Sequence, residues 1–226
     1  MNGAEVLLRT AANAGIEVCF ANAGTTELPI VAAFDAVSGI HPVLALFEGV
    51  CTGGADGYGR VKEVPAMTLL HLGPGFANGI ANLHNARRAR TPLINVIGQH
   101  TTWHINADAP LTMDVESLAK TVSAWTRTNT STESLSRDFA DAFTASMSGK
   151  IVSLIVPNDH LWAEVEPIIH TPAPLQFDPL DLGPIEAAAD LLKAGKKQHL
   201  CWAAKPFEGK ALRLQGIYSQ SLGATS

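Results

Sequence analysis

The sequence predicts an α/β domain built on a doubly wound, mainly parallel sheet with helices on both faces. Three observations carry the prediction. Short apolar blocks recur along the first two thirds of the chain, stretches of helical periodicity separate them, and the blocks run almost continuously apolar. Strands covered on both faces have that character, and an alternation of strand and helix is how a parallel sheet is connected. With 46% hydrophobic and 16% charged residues among 226, the chain can bury a sizeable core.

The elements follow in order. The opening "MNGAEVLLRTAANAG" has interspersed polar positions and no cleavage pattern behind an apolar run, so it reads as an amphipathic helix and not as a signal peptide. Strands are expected at 16–20 (IEVCF), 41–47 (HPVLALF), 66–72 (AMTLLHL), 92–98 (PLINVIG), 121–128 (TVSAWTRT) and 150–157 (KIVSLIVP). Helices are expected over 25–38, 48–61, 75–89 and 131–148. The first domain so defined spans residues 1–165. Five prolines between Glu164 and Pro184 mark a linker at 166–183. Residues 184–226 then offer a helix (PIEAAADLLKAGK), an apolar strand (HLCWAA) and a last stretch that begins a second α/β unit and leaves it incomplete.

Composition excludes several function classes. A net charge of -5 disfavours a reader of nucleic-acid phosphates, and the single basic cluster "ARRAR" is too short to reverse that. No run approaches a membrane span. The three cysteines, Cys19, Cys51 and Cys201, are odd in number and far apart, which suggests neither a disulfide framework nor a CxxC metal site. A reducing, cytoplasmic home is the expectation.

Two segments carry chemistry. In "HPVLALFEGVCTGGADGYGR" an apolar run ends on Glu48, at the carboxyl edge of the sheet where ligands of such folds collect. Desolvation disfavours a bare carboxylate there unless a neighbour donates a hydrogen bond, and a carboxyl so placed suits proton transfer. A first-turn acid stabilised by the helix dipole is the plainer explanation, worth up to ~1 kcal/mol. The glycines that follow, Gly49, Gly53, Gly54 and Gly57, would let a backbone or a flat ligand approach. In the second segment, "LLHLGPGFANGIANLHNARRARTP", a strand ends at Leu72 and Gly73, Pro74 and Gly75 form a tight turn before the next helix. The spacing G-P-G-x-x-N-G is not the dinucleotide fingerprint, so nicotinamide binding is not implied.

Together these segments resemble the thiamine diphosphate enzymes of the acetolactate synthase, benzoylformate decarboxylase and pyruvate decarboxylase group, in their N-terminal pyrimidine-binding domain. Four motifs in the right order support the resemblance over residues 2–165: the first helix, strand and turn "GAEVLLRTAANAGIEVCFANAGTTELPI"; the glutamate helix "FEGVCTGGADGYGR"; the Gly-Pro-Gly turn and next strand; and the closing "KIVSLIVPNDHLWAEV". The resemblance implies that Glu48 hydrogen-bonds N1' of the cofactor aminopyrimidine and favours its 4'-imino form, which takes the proton from thiazolium C2 and leaves a nucleophile for a 2-oxo acid. It implies that Ala23, Gly24 and Thr25 form a turn beside that glutamate, that Gly73, Pro74, Gly75 and Asn78 wall the aminopyrimidine pocket, and that His71 faces substrate, as in benzoylformate decarboxylase-like members.

The departures are specific. Pro110 and Leu111 stand where acetolactate synthases have an aromatic residue and Gln, and His100 and His104 stand apart where pyruvate decarboxylases have an adjacent pair. A metal site at His100 and His104 is disfavoured by the β-branched residues between them. Cys51 reads as a packing residue, His84 as a helix-surface or interface residue, and Trp125 and Trp162 as core or interdomain packing. The Gly-Asp-Gly and Asn that hold Mg²⁺ and the diphosphate in the family do not occur here, so these 226 residues are expected to bind thiamine diphosphate weakly and to be inactive alone. Activity would need a homodimer partner or a separate diphosphate-binding subunit. FAD is left open, because a central domain would hold it. The expected function is the N-terminal part or subunit of a thiamine diphosphate-dependent 2-oxo acid decarboxylase or carboligase; a truncated, non-catalytic dimerisation or partner-binding module is the alternative.

Overall fold

A computed structural model describes residues 1–176 and 179–194. The strand called HLCWAA and the stretch after it lie outside the described residues. The chain divides into two compact units, Met1–Pro174 and Leu175–Ser226.

The first unit runs α1 (Gly3–Ala14), β1 (Val18–Asn22), α2 (Leu28–Ala36), β2 (His41–Leu44), α3 (Glu48–Lys62), β3 (Ala66–Leu70), α4 (Leu72–Arg88), β4 (Leu93–Gln99), α5 (Val115–Lys120), β5 (Trp125–Thr128), α6 (Leu135–Ser146), β6 (Ile151–Pro157) and α7 (Asn158–Trp162). The six strands form one sheet in the order β2-β1-β3-β4-β6-β5, every pair parallel. The doubly wound α/β prediction holds. In the second unit the described helix is α8 (Gly183–Lys193).

Local chemistry sets the ends. Asn2 caps α1 by accepting the Glu5 N–H at 2.9 Å, and Gly15, at φ 96°, closes the helix in the left-handed conformation that glycine adopts at least cost. In the central strands successive residues serve opposite cores. Met67, Leu69, Ile94, Val96, Val152 and Leu154 pack under α1, α2 and α6 with Phe139. Leu70, Leu93, Ile97, Ile151 and Ile155 pack under α3, α4 and α5 with Phe76 and Leu83. Two-sided burial is what made these strands read as continuous apolar runs.

The structure corrects four sequence-based expectations. The apolar run 43–47 is not a buried strand: β2 stops at Leu44 at the sheet edge, and Leu46 is 92% exposed. An edge strand has a neighbour on one side alone, here β1. The strand expected at 66–72 ends at Leu70, and Gly73, Pro74 and Gly75 lie inside the first turn of α4 rather than ahead of it. Proline is tolerated there because a first-turn N–H has no helical acceptor. The strand expected from residue 121 starts at Trp125, since Thr121 to Ala124 form the exit from α5. Of the core or interdomain packing expected for Trp162, the core alternative falls, since the ring is more than half exposed.

Candidate functional site

The carboxyl ends of β1, β3 and β4 and the starts of α3 and α4 converge on one rim. Glu48 is the first residue of α3, directly after the extended Phe47, so the sequence places its carboxylate at a helix N-terminus. The glycines after it bring α3 and α4 together. A side chain at Gly79 would meet Thr52 at 2.7 Å, one at Gly53 would meet Asn82 at 3.1 Å, and one at Gly54 would meet the Phe20 ring at 2.8 Å. These glycines therefore admit neighbours from within the protein. Thr52 Oγ1 donates to the Gly79 carbonyl at 3.0 Å and Asn82 Nδ2 to the Gly49 carbonyl at 2.6 Å, which locks the two helices in register.

That register puts Glu48 beside α4. Asn78 Nδ2 donates to Glu48 Oε2 at 3.0 Å. The other oxygen, Oε1, lies 3.2 Å from where a Gly75 side chain would begin, and His71 Cβ lies 3.3 Å from the same point. Gly75 is thus the point on the backbone where Glu48 and His71 draw together. No cation pairs with Glu48 among the described residues. Its charge is still felt nearby: burial first, and then Glu48, push the Cys51 thiol up to about 11. Cys51 is fully buried and stays protonated, in keeping with a packing role and not with nucleophilic chemistry.

His71 is the N-cap position of α4 and Leu72 follows it at φ 53°, a strained conformation for a branched side chain that costs on the order of 1 kcal/mol. The Gly75 N–H bonds back to the His71 carbonyl at 2.9 Å, so it is spent within the helix and does not face a ligand. The His71 ring is pinned by a residue that sequence reasoning missed. Glu27, fully buried, meets His71 Nδ1 through Oε2 at 2.8 Å. The same oxygen accepts the Gly24 N–H at 2.7 Å, and the Thr26 hydroxyl donates to Oε1. Two glycines make the cradle. A Cβ at Gly98 would fall 1.6 Å from Glu27 Oε1, and one at Gly24 would strike the His71 ring at 2.4 Å. The hydrogen bond to Glu27 raises His71 above the ordinary histidine value; burial opposes this, and the charges of Glu27 and then Glu48 reinforce it.

Of the other residues proposed from sequence, Gly24 is central to this cradle, while Ala23 and Thr25 lie exposed on the same turn. Gly73 packs against Met113, and Pro74 is half-buried in the first turn of α4. His84 is exposed on α4. His100 and His104 stack edge to face, ring centres 5.7 Å apart, in the loop after β4. No cluster of three or more His, Cys, Asp or Glu able to hold a metal exists among the described residues. No described helix is long and apolar enough to cross a membrane.

A six-stranded parallel sheet carrying a carboxylate at the start of its third helix, set against a glycine turn, defines a class: the pyrimidine-binding domains of thiamine diphosphate enzymes. The family model "Thiamine pyrophosphate enzyme, N-terminal TPP binding domain" matches residues 1–118, and the chain belongs to that family. Among its relatives, a Mycobacterium tuberculosis protein described as "Putative acetolactate synthase large subunit IlvX" is 43% identical over 226 residues, 99% of this chain and 43% of that one. The benzoylformate decarboxylase of Pseudomonas aeruginosa is 31% identical over 156 residues, 68% of this chain and 29% of the enzyme. Among solved structures, the thiamine diphosphate-dependent 4-hydroxybenzoylformate decarboxylase of Rhodococcus jostii RHA1 superposes with a TM-score of 0.71 at 25% identity, over 86% of this chain and 37% of that one. The chain spans less than half the length of each of these relatives.

Proposed function

We propose that this rim is the aminopyrimidine half of a thiamine diphosphate site serving a 2-oxo acid decarboxylase or carboligase. The observation that carries the reading is the Glu48 carboxylate: half-buried at a helix N-terminus and, among the described residues, without a counter-ion, given one donor by Asn78 and left one free oxygen above Gly75. Such a group fits a flat heteroaromatic ring with a basic nitrogen. When bound, the cofactor supplies a carbon nucleophile and an electron sink for decarboxylation.

The chain's own residues would do the following. Glu48 holds the ring nitrogen N1' through the oxygen that Asn78 leaves free, and Asn78 fixes the carboxylate plane. Gly73, Pro74 and Gly75 form the wall on the α4 side, and the turn Ala23, Gly24, Thr25 forms the wall on the β1 side. His71, its proton affinity raised by the Glu27 hydrogen bond at Nδ1, would present its Nε2 side to the carboxylate or the developing oxyanion of substrate. The exposed Leu44, Leu46, Phe47 and Val50 flank Glu48 and support a second subunit covering this edge and excluding water. Mg²⁺ and the diphosphate would then be held by chain outside these residues or by a separate subunit, which leaves these 226 residues weak in cofactor binding and inactive alone. FAD, if bound, would belong to that same outside chain. The free, buried Cys19 and Cys51 support a cytoplasmic setting.

The test is release of CO₂ from 2-oxo acids by the protein isolated from its source, with added thiamine diphosphate and Mg²⁺. Activity that disappears in Glu48→Gln supports the reading; a Glu48→Gln enzyme as active as wild type overturns it.

A further inference from the structure

The stretch that closes the domain after β6 has no part in the reading above, yet it touches both sides of the rim. Asn158 Nδ2 donates to the Thr26 carbonyl at 2.7 Å, and Thr26 is the residue whose hydroxyl reaches both Glu27 and His71. The next residue, Asp159, accepts the Thr102 N–H at 3.0 Å through one oxygen and the Thr102 hydroxyl at 2.6 Å through the other. The segment itself is anchored, because His160 Nδ1 shares a 2.7 Å hydrogen bond with Asn129, whose amide donates to the buried Asp138 at 2.8 Å.

Topology explains how two adjacent side chains reach so far apart. Strand β6 lies beside β4 with Pro157 opposite Gln99, so Asn158 and Asp159 emerge next to the loop that leaves β4. That loop carries His100, Trp103 and His104 as an edge-to-face stack, with ring centres 5.7 Å and 5.5 Å apart. Bonds from the His104 N–H to Thr101 and from the Ala107 N–H to His104 shape its turn, and the Thr102 pair with Asp159 ties that turn to the sheet. His100 Nε2 is buried without a partner. Burial, then His104, then His71 lower its proton affinity, which places His100 within electrostatic reach of His71. The Asp159 carboxyl is held below its ordinary value: burial would raise it, but the two Thr102 hydrogen bonds, with its own backbone N–H and His160, outweigh that.

We propose that Asn158 and Asp159 are positioning residues that form a brace, fixing the Thr26 turn and the His100–His104 loop so that the rings of His71 and His100 keep one relation at the substrate side of the pocket. The role in substrate placement rests on the reading of this rim as a thiamine diphosphate site; the brace itself does not.

The experiment is a histidine-ring NMR titration, with amide hydrogen exchange, on the full 226-residue chain, which needs no cofactor. In Asp159→Ala the His100 midpoint is expected to rise toward that of an ordinary histidine, amides 101–107 to exchange about tenfold faster, and His71 to keep its raised value. Asn158→Ala is expected to shift His71 and spare His100. Asp159→Asn, which keeps an acceptor for the Thr102 N–H, should restore most of the protection, and Thr102→Val should repeat the Asp159→Ala effect at smaller size if the alanine variant does not fold. The proposal is overturned if His100 and the loop amides are unchanged in Asp159→Ala, or if both alanine variants disturb both histidines equally. A brace that passes in a protein without thiamine-dependent activity would stand while the catalytic reading fell.

Discussion

Two carboxylates meet at the rim of this sheet, and they are treated in opposite ways. Glu27 is fully buried, and both of its oxygens are used: by Thr26, by the Gly24 N–H and by His71. Glu48 is half-buried and has one donor, Asn78, on one oxygen. Saturation makes Glu27 part of the framework, because a buried charge is tolerated where its hydrogen bonds are complete. Glu48 sits under no such constraint: its other oxygen accepts no hydrogen bond among the described residues, and on the proposed function that oxygen meets the cofactor. The difference teaches that a framework carboxylate and a candidate site carboxylate are told apart by the partners each lacks as much as by their place in the fold.

The comparison breaks most readily at the cradle. Gly98→Ala would put a methyl group 1.6 Å from Glu27 Oε1 and 2.8 Å from Thr26 Oγ1, so the carboxylate must leave its partners or the strand must shift. The expected loss is about 3–5 kcal/mol in urea unfolding, from overpacking together with a stranded buried charge. A loss below about 1 kcal/mol would mean that Glu27 moves at little cost and is not framework.

Glu27→Gln is milder, because shape and one of the two acceptor oxygens survive. It should cost ~1–2 kcal/mol, the worth of a hydrogen bond to a charged group, and should lower the His71 midpoint. The pH dependence has a definite sign. Pairing raises His71 above its ordinary value near ~6.5, so its contribution is complete below about pH 6.5 and is lost as pH rises through the raised value. Unfolding of wild type and Glu27→Gln at acidic and alkaline pH should show the gap closing as pH rises. A gap that widens would reverse the assignment.

These two residues also show what the sequence made legible. The central strands β3, β4 and β6 could be read because burial on both faces leaves continuous apolar runs. Glu48 could be read because a charge ended such a run ahead of a glycine-rich helix. Glu27 could not, since "TTELPI" looks like the start of an ordinary helix. Its role depends on Gly98 in β4 and His71 after β3, contacts that appear once the strands pair. A signal was present in the capping-like spacing of Gly24 and Glu27, but that pattern is common and weak. The run 43–47 misled for a related reason, because an edge strand with exposed apolar side chains carries the same letters as a strand inside the core. Helix α5 rests on its Asp114 cap and helix α7 on tertiary contacts, neither of which hydrophobic periodicity reports.

The smallest expected change in stability, and the sharpest distinction between the two carboxylates, comes from Glu48→Gln. With no ion pair to break and Asn78 still able to donate to the amide oxygen, stability should stay within about 0.5 kcal/mol of wild type. His71 reports the change independently of any cofactor. Glu27 raises it first through a hydrogen bond and Glu48 comes last, acting through space, so the His71 midpoint should fall in Glu48→Gln by less than in Glu27→Gln. Loss of thiamine-dependent turnover by ~10²–10⁴, with the fold intact, is the matching expectation for the complete enzyme. If Glu48→Gln instead destabilises the chain as much as Glu27→Gln does, Glu48 belongs to the framework after all, and the half-empty carboxylate loses its meaning as a site.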